Sequence, residues 1–316
     1  MKKLDNKKVL ITGASGFLGT HLAEHCHAEG ANIFGIDIRK PFDEKIWMGF
    51  SEQGLLSDTS ESLLIENDFD IIFHLAGGAS VGLSVQDPAV DFNSLLPPTL
   101  TFLTWIKKYS AASHFVLFSS AAVYGNPDSL PIKENAVLHP LSPYGIHKLL
   151  AEDLLFHYSK YYNMKASVLR IFSAFGEGLR KQIFWDVMNR YRNALEKSAD
   201  GKVDIELFGT GRESRDFIHG KDVARAAVLI ALHTLNEDHF NIFNVAAGEE
   251  TEIKEAIGYL FTNAQPTPAI TFGGVNRTGD PERWQADVSK LKSIGFEPSG
   301  DVKNSLANFF TWCMAQ

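Results

Sequence analysis

Cysteine is scarce in this chain: Cys26 and Cys313 are the only two in 316 residues. That count excludes the disulfide framework on which small secreted domains depend, and it suits a reducing compartment. Long apolar runs are missing too, none approaching the roughly eighteen residues of a membrane-spanning helix, so no membrane partner is expected. Positive charge is in short supply, with 30 Lys and Arg against 38 Asp and Glu and a net charge of −8. Without a dense basic patch, nucleic acid is not an expected partner, although local basic residues in an acidic protein still bind small anions. No apolar segment precedes the first strand-like run in MKKLDNKKVLITG, so no secretory signal is expected and the expected location is cytoplasmic. Internal repeats and low-complexity tracts are also lacking. What remains is ordinary globular composition, 45% hydrophobic and 22% charged, long enough for one large α/β domain or one and a half.

Short apolar runs at 7–13, 32–38, 70–76, 114–120 and 166–172 read as strands, with helical patterns between most of them, notably 17–30 and 142–162. Continuous Val, Ile, Leu and Phe in such strands, alternating with helices, indicate a parallel sheet covered on both faces. The expected fold class is therefore α/β, a doubly wound parallel (Rossmann) sheet with a smaller C-terminal substrate-binding region. Residues 1–175 form the dinucleotide-binding domain in this reading. A helix at 223–235 and a strand at 240–246 bring 215–246 back to it, leaving 176–214 and 247–316 for the smaller part.

The stretch ITGASGFLGTHLAE places Gly13, Gly16 and Gly19 between the first strand and the first helix. Glycines there allow a tight turn, close approach of backbone to a pyrophosphate, and close helix–strand packing. The helix N-terminus offers free N–H groups and partial positive charge to the anion. Asp37 ends the next strand, where a carboxylate takes the adenosine ribose hydroxyls and repels a 2′-phosphate. NAD is thus expected over NADP, with Arg39 and Lys40 partly offsetting the repulsion. In the same helix His21, His25, Cys26 and His27 invite a metal reading. Nothing elsewhere completes such a site, so a solvated helix flank and no metal are expected.

HFVLFSS (114–120) ends in Ser119 and Ser120 at the carboxyl end of a strand, where an open α/β sheet binds its ligands. In LSPYGIHKLL (141–150), Ser142 suits the N-cap and Pro143 the first helical position. Tyr144 and Lys148 then share a face in the first two turns. A phenol of ordinary pKa, about 10, is a poor base at neutral pH. A lysine ammonium and a nicotinium ring nearby would lower that pKa, and serine would hydrogen-bond the same substrate oxygen. The trio suits hydride transfer at a carbinol carbon.

Together, the glycine loop, SSAAVYG and Tyr-x-x-x-Lys resemble the extended short-chain dehydrogenase/reductase family in its nucleotide-sugar epimerase/dehydratase branch. The likeness runs from about residue 7 to 298 and includes HLAGGASVGLSVQDP, LRIFSAFG, FGTGRESRDFIHGKDVARA and NRTGDPERWQADVSKLKSIGFEP. It implies Ser120, Tyr144 and Lys148 as the catalytic trio, with Tyr144 as acid/base and Lys148 holding the nicotinamide ribose. It implies Gly13, Ser15, Gly16, Phe17, Leu18, Gly19, Asp37, Leu75 and Ala76, with Tyr144 and Lys148, around NAD. For a nucleotide-diphosphate sugar it implies Ser80, Ser120 and Ser173, with Phe208 near the base, Arg215 and Arg277 on the diphosphate, and Asp280 on the ribose.

Some positions depart from the family pattern. Ser173 stands where many relatives have asparagine. Ala121 and Ala122 stand where dehydratases carry an Asp-Glu pair, which argues against water elimination. Pro97 and Pro98 fall inside a helix that, in relatives, helps build a homodimer, so a kink or restart near Pro97 is expected. Asp58 is a candidate for the acid that contacts adenine. The leading expectation is an NAD-dependent nucleotide-sugar epimerase acting by transient oxidation at C4. The alternatives are an NAD(P)H-dependent 4-keto-sugar reductase using the same trio once per turnover, and a non-catalytic cofactor-sensing protein.

Overall fold

The computed structural model describes residues 3–78, 80–198, 202–235, 240–274 and 281–316. Its first half alternates strand and helix: β1 (Lys8–Thr12), α1 (Phe17–Ala28), β2 (Asn32–Ile36), β3 (Trp47–Ser51), α2 (Asp58–Glu66), β4 (Ile71–His74), α3 (Val81–Gln86), α4 (Pro88–Tyr109), β5 (His114–Ser120), α5 (Pro143–Tyr162) and β6 (Ala166–Ile171). There follow β7 (Ser173–Phe175), α6 (Gln182–Lys197), β8 (Asp204–Leu207), β9 (Ser214–His219), α7 (Gly220–Thr234) and β10 (Phe240–Val245). The chain ends with β11 (Glu250–Glu252), α8 (Ile253–Leu260), β12 (Ala269–Phe272), α9 (Ser289–Ser293) and α10 (Val302–Met314).

Seven strands form one sheet in the order β10-β6-β5-β4-β1-β2-β3, every pair parallel. The order reverses between β1 and β4, and the crevice at such a switch point is where a doubly wound sheet binds ligands. Alternation along β1 explains the two layers. Val9 and Ile11 pack with Leu22 and Cys26 of α1 and Ala227 of α7. Leu10 points the other way, toward Phe102 of α4 and Leu155 of α5. A separate cluster joins α6, α8 and α10 through Val187, Tyr191, Leu260 and Phe309. It lies over two small sheets, β11-β9-β7 and β12-β8. The expected return of 215–246 to the main sheet is made by α7 and β10, whereas β9 belongs to the three-stranded sheet.

Two readings are corrected, and one strand had none. The helix around Pro97 and Pro98 does not restart: α4 is one helix of 22 residues. The carbonyls left without donors belong to Asn93 and Ser94, which are exposed to water, and buried Leu95, Thr99, Phe102 and Ile106 hold the helix to the sheet. The histidine-rich stretch of α1 is not simply a solvated flank. His21 and Cys26 are buried beneath α7, where Gly220 leaves room for the His21 ring. The strand β3, WMGFS, went unread although it is largely apolar: it is an edge strand of the sheet and only one of its five residues is buried.

Candidate active site

Gly13 takes φ +71°, and a Cβ there would lie 2.9 Å from the backbone of Leu75 and Ala76 at the end of β4. A Cβ on Gly19 would meet the Gly13 carbonyl at 2.2 Å. These glycines let β1, α1 and β4 close on one another and form a cradle of bare backbone. Gly16 caps α1 without a side chain and no acidic residue sits in the first turn, so the N–H groups at Phe17 and Leu18 favour an anion. Asp37 is buried at the end of β2. The Ser15 and Arg39 N–H groups each donate to one of its oxygens at 3.0 Å, leaving further lone pairs for ribose hydroxyls. The Arg39 guanidinium turns to Asp37 (3.6 Å) and to the Ser15 carbonyl (3.1 Å), so its charge is engaged where a 2′-phosphate would need it. Cradle and carboxylate fit a dinucleotide such as NAD. Asp58, exposed at the start of α2, follows β3 on the same side of the sheet order.

Beyond the strand ends opens a cleft of about 550 Å³ that brings together Ser80, Ser120, Tyr144, Ser173, Phe208 and Arg215. Alternation of side chains along β5 separates its two serines. Ser120 faces the cleft, while Ser119 is buried and donates to the Glu152 carboxylate. Ser142 caps α5 as expected, accepting from the Gly145 N–H at 3.2 Å, with Pro143 first in the helix. Tyr144 hydrogen-bonds Ser120. Lys148 Nζ donates to the Phe118 carbonyl at 3.1 Å and lies 5.8 Å from the Tyr144 ring centre.

Burial dominates the electrostatics of this trio. Burial pushes the Tyr144 phenol up to about 12; the Ser120 hydrogen bond opposes the rise and the Asp91 charge adds to it. Burial draws Lys148 down to about 8, against the supporting carboxylates of Asp91 and Glu152. The protein alone therefore raises the Tyr144 pKa, because burial penalises a phenolate more than the Ser120 hydrogen bond favours it. Beneath the trio, Thr12 and Thr99 hydrogen-bond both ring nitrogens of His74 (2.8 and 3.1 Å). Burial lowers that imidazole to about 3, so it stays neutral and structural.

Arg215 stacks on Trp284 at 5.6 Å and donates to the Ser214 carbonyl at 2.8 Å. Arg277 and Asp280 lie outside the described residues. The cleft also holds Arg190, Glu213 and Trp284, to which the sequence reading gave no role, and Lys181 of the stretch 178–186, which the sequence reading placed along this pocket. Lys181 falls in GLRKQIFWD, a stretch whose mixed basic and aromatic character was the available signal. Glu213 binds the Thr210 and Gly211 N–H groups at 2.9 and 3.0 Å and shapes the loop behind Phe208. Among the described residues no cluster of His, Cys, Asp and Glu is arranged for a metal ion, and no helix is long and apolar enough to cross a membrane.

This arrangement defines a doubly wound α/β protein whose dinucleotide cradle opens into a polar-and-aromatic cleft. Residues 9–246 match the NAD dependent epimerase/dehydratase family, and the chain belongs to that family, as its motifs suggested. It is similar to the UDP-glucose 4-epimerase of Rhizobium meliloti (strain 1021), 27% identical over 322 residues that cover 98% of each chain. Among solved structures it is similar to MoeE5 in complex with UDP-glucuronic acid and NAD, with 26% identity, a TM-score of 0.84 and coverage of 98% of this chain and 99% of that one. It is likewise similar to the UDP-N-acetylglucosamine 4-epimerase from Methanobrevibacter ruminantium M1 in complex with UDP-N-acetylmuramic acid, with 26% identity, a TM-score of 0.82 and coverage of 99% and 100%.

Proposed function

We propose that the protein is an NAD-dependent epimerase of nucleotide sugars, acting at C4 of a UDP-hexose. The observation that carries this reading is one cleft joining Ser120 and Tyr144 to Arg215 and Phe208, beside a cradle fitted to NAD. Bound NAD supplies a reversible acceptor for the carbon-bound hydrogen. Tyr144 takes the proton of the C4 hydroxyl and later returns it, Ser120 hydrogen-bonds the same oxygen, and Lys148 holds the nicotinamide ribose. Arg215 pairs with the diphosphate, for which its planar fork is suited, and Phe208 packs on the base, with Ser80 and Ser173 toward the sugar. Ser173 has a shorter reach than the asparagine of many relatives, leaving more room beside the hexose. The buried Ala121 and Ala122 supply no acid for eliminating water. Residues 1–175, with α7 and β10, hold NAD in this reading, and 176–214 with 247–316 hold the nucleotide sugar. A cytoplasmic setting goes with it, supported by two free thiols.

Purified protein incubated with UDP-glucose, UDP-N-acetylglucosamine or UDP-glucuronic acid should convert at least one into its C4 epimer, without net change in NADH absorbance. Consumption of added NADH or NADPH only when a 4-keto sugar is supplied would instead identify a reductase.

A homodimer belongs to the same reading. Phe92 and Leu100 on α4, and Ile146 and Leu150 on α5, are 40–46% exposed and recur at helical spacing on neighbouring helices. An apolar face of this kind commonly marks an interface. Light scattering should give twice the chain mass, and a Leu100→Glu/Ile146→Glu variant should give the single mass. A wild-type monomer at micromolar concentration would refute the dimer.

A further inference from the structure

Arg215 and Trp284 stand side by side in the cleft, and what holds them there lies behind them. Arg215 is in β9, so its neighbour Asp216 points to the opposite face of that strand. Asp216 is 0% exposed. One of its oxygens accepts from the Ala247 N–H at 2.9 Å and the other from the Ala286 N–H at 3.0 Å. The Gly248 N–H is shared between the two at 3.1 and 3.0 Å.

These N–H groups belong to two different segments. Ala247 and Gly248 follow β10, an edge strand of the seven-stranded sheet. Ala286 lies two residues beyond Trp284, whose backbone N–H donates to the Ser214 carbonyl at 3.2 Å and whose indole N–H donates to the Gly125 carbonyl at 2.9 Å. Gly248 takes φ +86°, and a Cβ there would press on Val288 at 2.7 Å, so the two segments pack closely beside the carboxylate. At the rim, Arg283 makes a two-pronged ion pair with Glu250, both contacts 2.8 Å, and Ser214 Oγ donates to the same carboxylate. Trp284 and Ala286 also share an apolar cluster with Ala121 and Ala122, against which Tyr144 packs. The main sheet, the Arg215 strand and the Trp284 segment thus meet at one buried acid.

Both oxygens of that acid are needed. An amide has one acceptor oxygen and one NH2 donor. Either orientation of an amide would set that donor against a backbone N–H, holding one segment and releasing the other. A buried N–H left unpaired is costly.

We propose that Asp216 is a positioning residue for the nucleotide sugar: it clasps the Trp284 segment to β9 and to the end of the main sheet, and so fixes Arg215 and Trp284 at a set reach from Tyr144. The proposal rests on the reading of this cleft as the nucleotide-sugar site. Its test is calorimetry of NAD-stripped full-length wild type, Asp216→Asn and Arg283→Met with UDP and with NAD. Asp216→Asn should bind UDP about tenfold more weakly, as a displaced charge-assisted contact implies, with NAD affinity kept. Arg283→Met removes only the exposed outer pair and should weaken UDP binding about two- to fivefold, again with NAD affinity kept. UDP affinity kept in Asp216→Asn would overturn the proposal alone. An equal fall in both affinities would also overturn it, assigning Asp216 to the fold as a whole. Should Asp216→Asn fail to fold, UDP affinity kept in Arg283→Met would overturn it instead. Wild type that binds NAD but no UDP would overturn the nucleotide-sugar reading and this proposal with it.

Discussion

Changing Tyr144 to phenylalanine should lower kcat by about 10²–10⁴-fold, the range for removing a positioned acid–base group, with a much smaller change in KM. The hydroxyl carries the transferred proton, so its loss falls on the transition state and little on ground-state binding. The α5 N-cap comes from Ser142 Oγ, and the Tyr144 N–H bonds to Ser84 Oγ at 3.0 Å. The ring therefore keeps its place without its oxygen. A Tyr144→Phe enzyme with wild-type turnover would remove this residue from the mechanism.

The same residue gives a pH prediction. Burial holds Tyr144 at about 12, above the ordinary value, so in NAD-stripped protein its phenol stays neutral below that pH. Wild type and Tyr144→Phe should therefore show the same phenolate absorbance from pH 9 to pH 11, a window around the unperturbed tyrosine pKa of about 10. Positive charge brought next to the ring favours the phenolate, so saturating NAD should make one more tyrosine titrate in the wild type over that window. An extra phenolate already present in stripped wild type would contradict the burial argument.

The main sheet was legible because β1, β2, β4 and β5 are largely apolar runs, as strands covered on both faces are, while β6 and β10 keep enough Val, Ile, Leu and Phe among their polar residues to read as strands. The shorter strands β7, β8, β11 and β12, of three or four residues, have no comparable signal and exist through their partners. The convergence of Ser120, Tyr144 and Lys148 was readable for a local reason: a strand end and a helix start each fix their side chains within a few residues. Arg190, Glu213 and Trp284 enter the cleft from separate segments of the chain, and no spacing rule connects them. The histidines of α1 misled for a related reason. Their exposure depends on α7, which lies about two hundred residues later, a separation over which local sequence pattern carries no signal. The sequence shows a lysine one turn from Tyr144 but not the burial around its phenol, which pushes the pKa up where no cofactor charge opposes it.

The buried pair beneath the trio should matter most for stability. Arg170 and Glu152 side chains are 3% and 4% exposed and meet at 2.8 Å. Arg170 also donates to Tyr124 Oη at 3.0 Å and to the Glu134 carbonyl at 2.8 Å, while Glu152 accepts from Ser119. Arg170→Leu leaves a buried carboxylate without its cation, and Glu152→Leu leaves a buried guanidinium without its anion. Each should cost about 3–5 kcal/mol in urea unfolding, as for breaking one side of a buried ion pair. That is a large share of a typical total of about 5–15 kcal/mol. Replacing both removes the uncompensated charge, so the double variant should lose clearly less than the two single losses added together. It should still fall below wild type, because Ser119, Tyr124 and the Glu134 carbonyl lose partners that leucine cannot replace. Strict additivity would show that the pair is uncoupled. Glu152 lies one turn beyond Lys148 and its charge supports the lysine ammonium, so Glu152→Leu should also draw the Lys148 pKa further down. In a folded Glu152→Leu enzyme, activity that depends on protonated Lys148 should then fade at lower pH than in wild type. An unchanged alkaline limb would show that Glu152 acts on the fold alone.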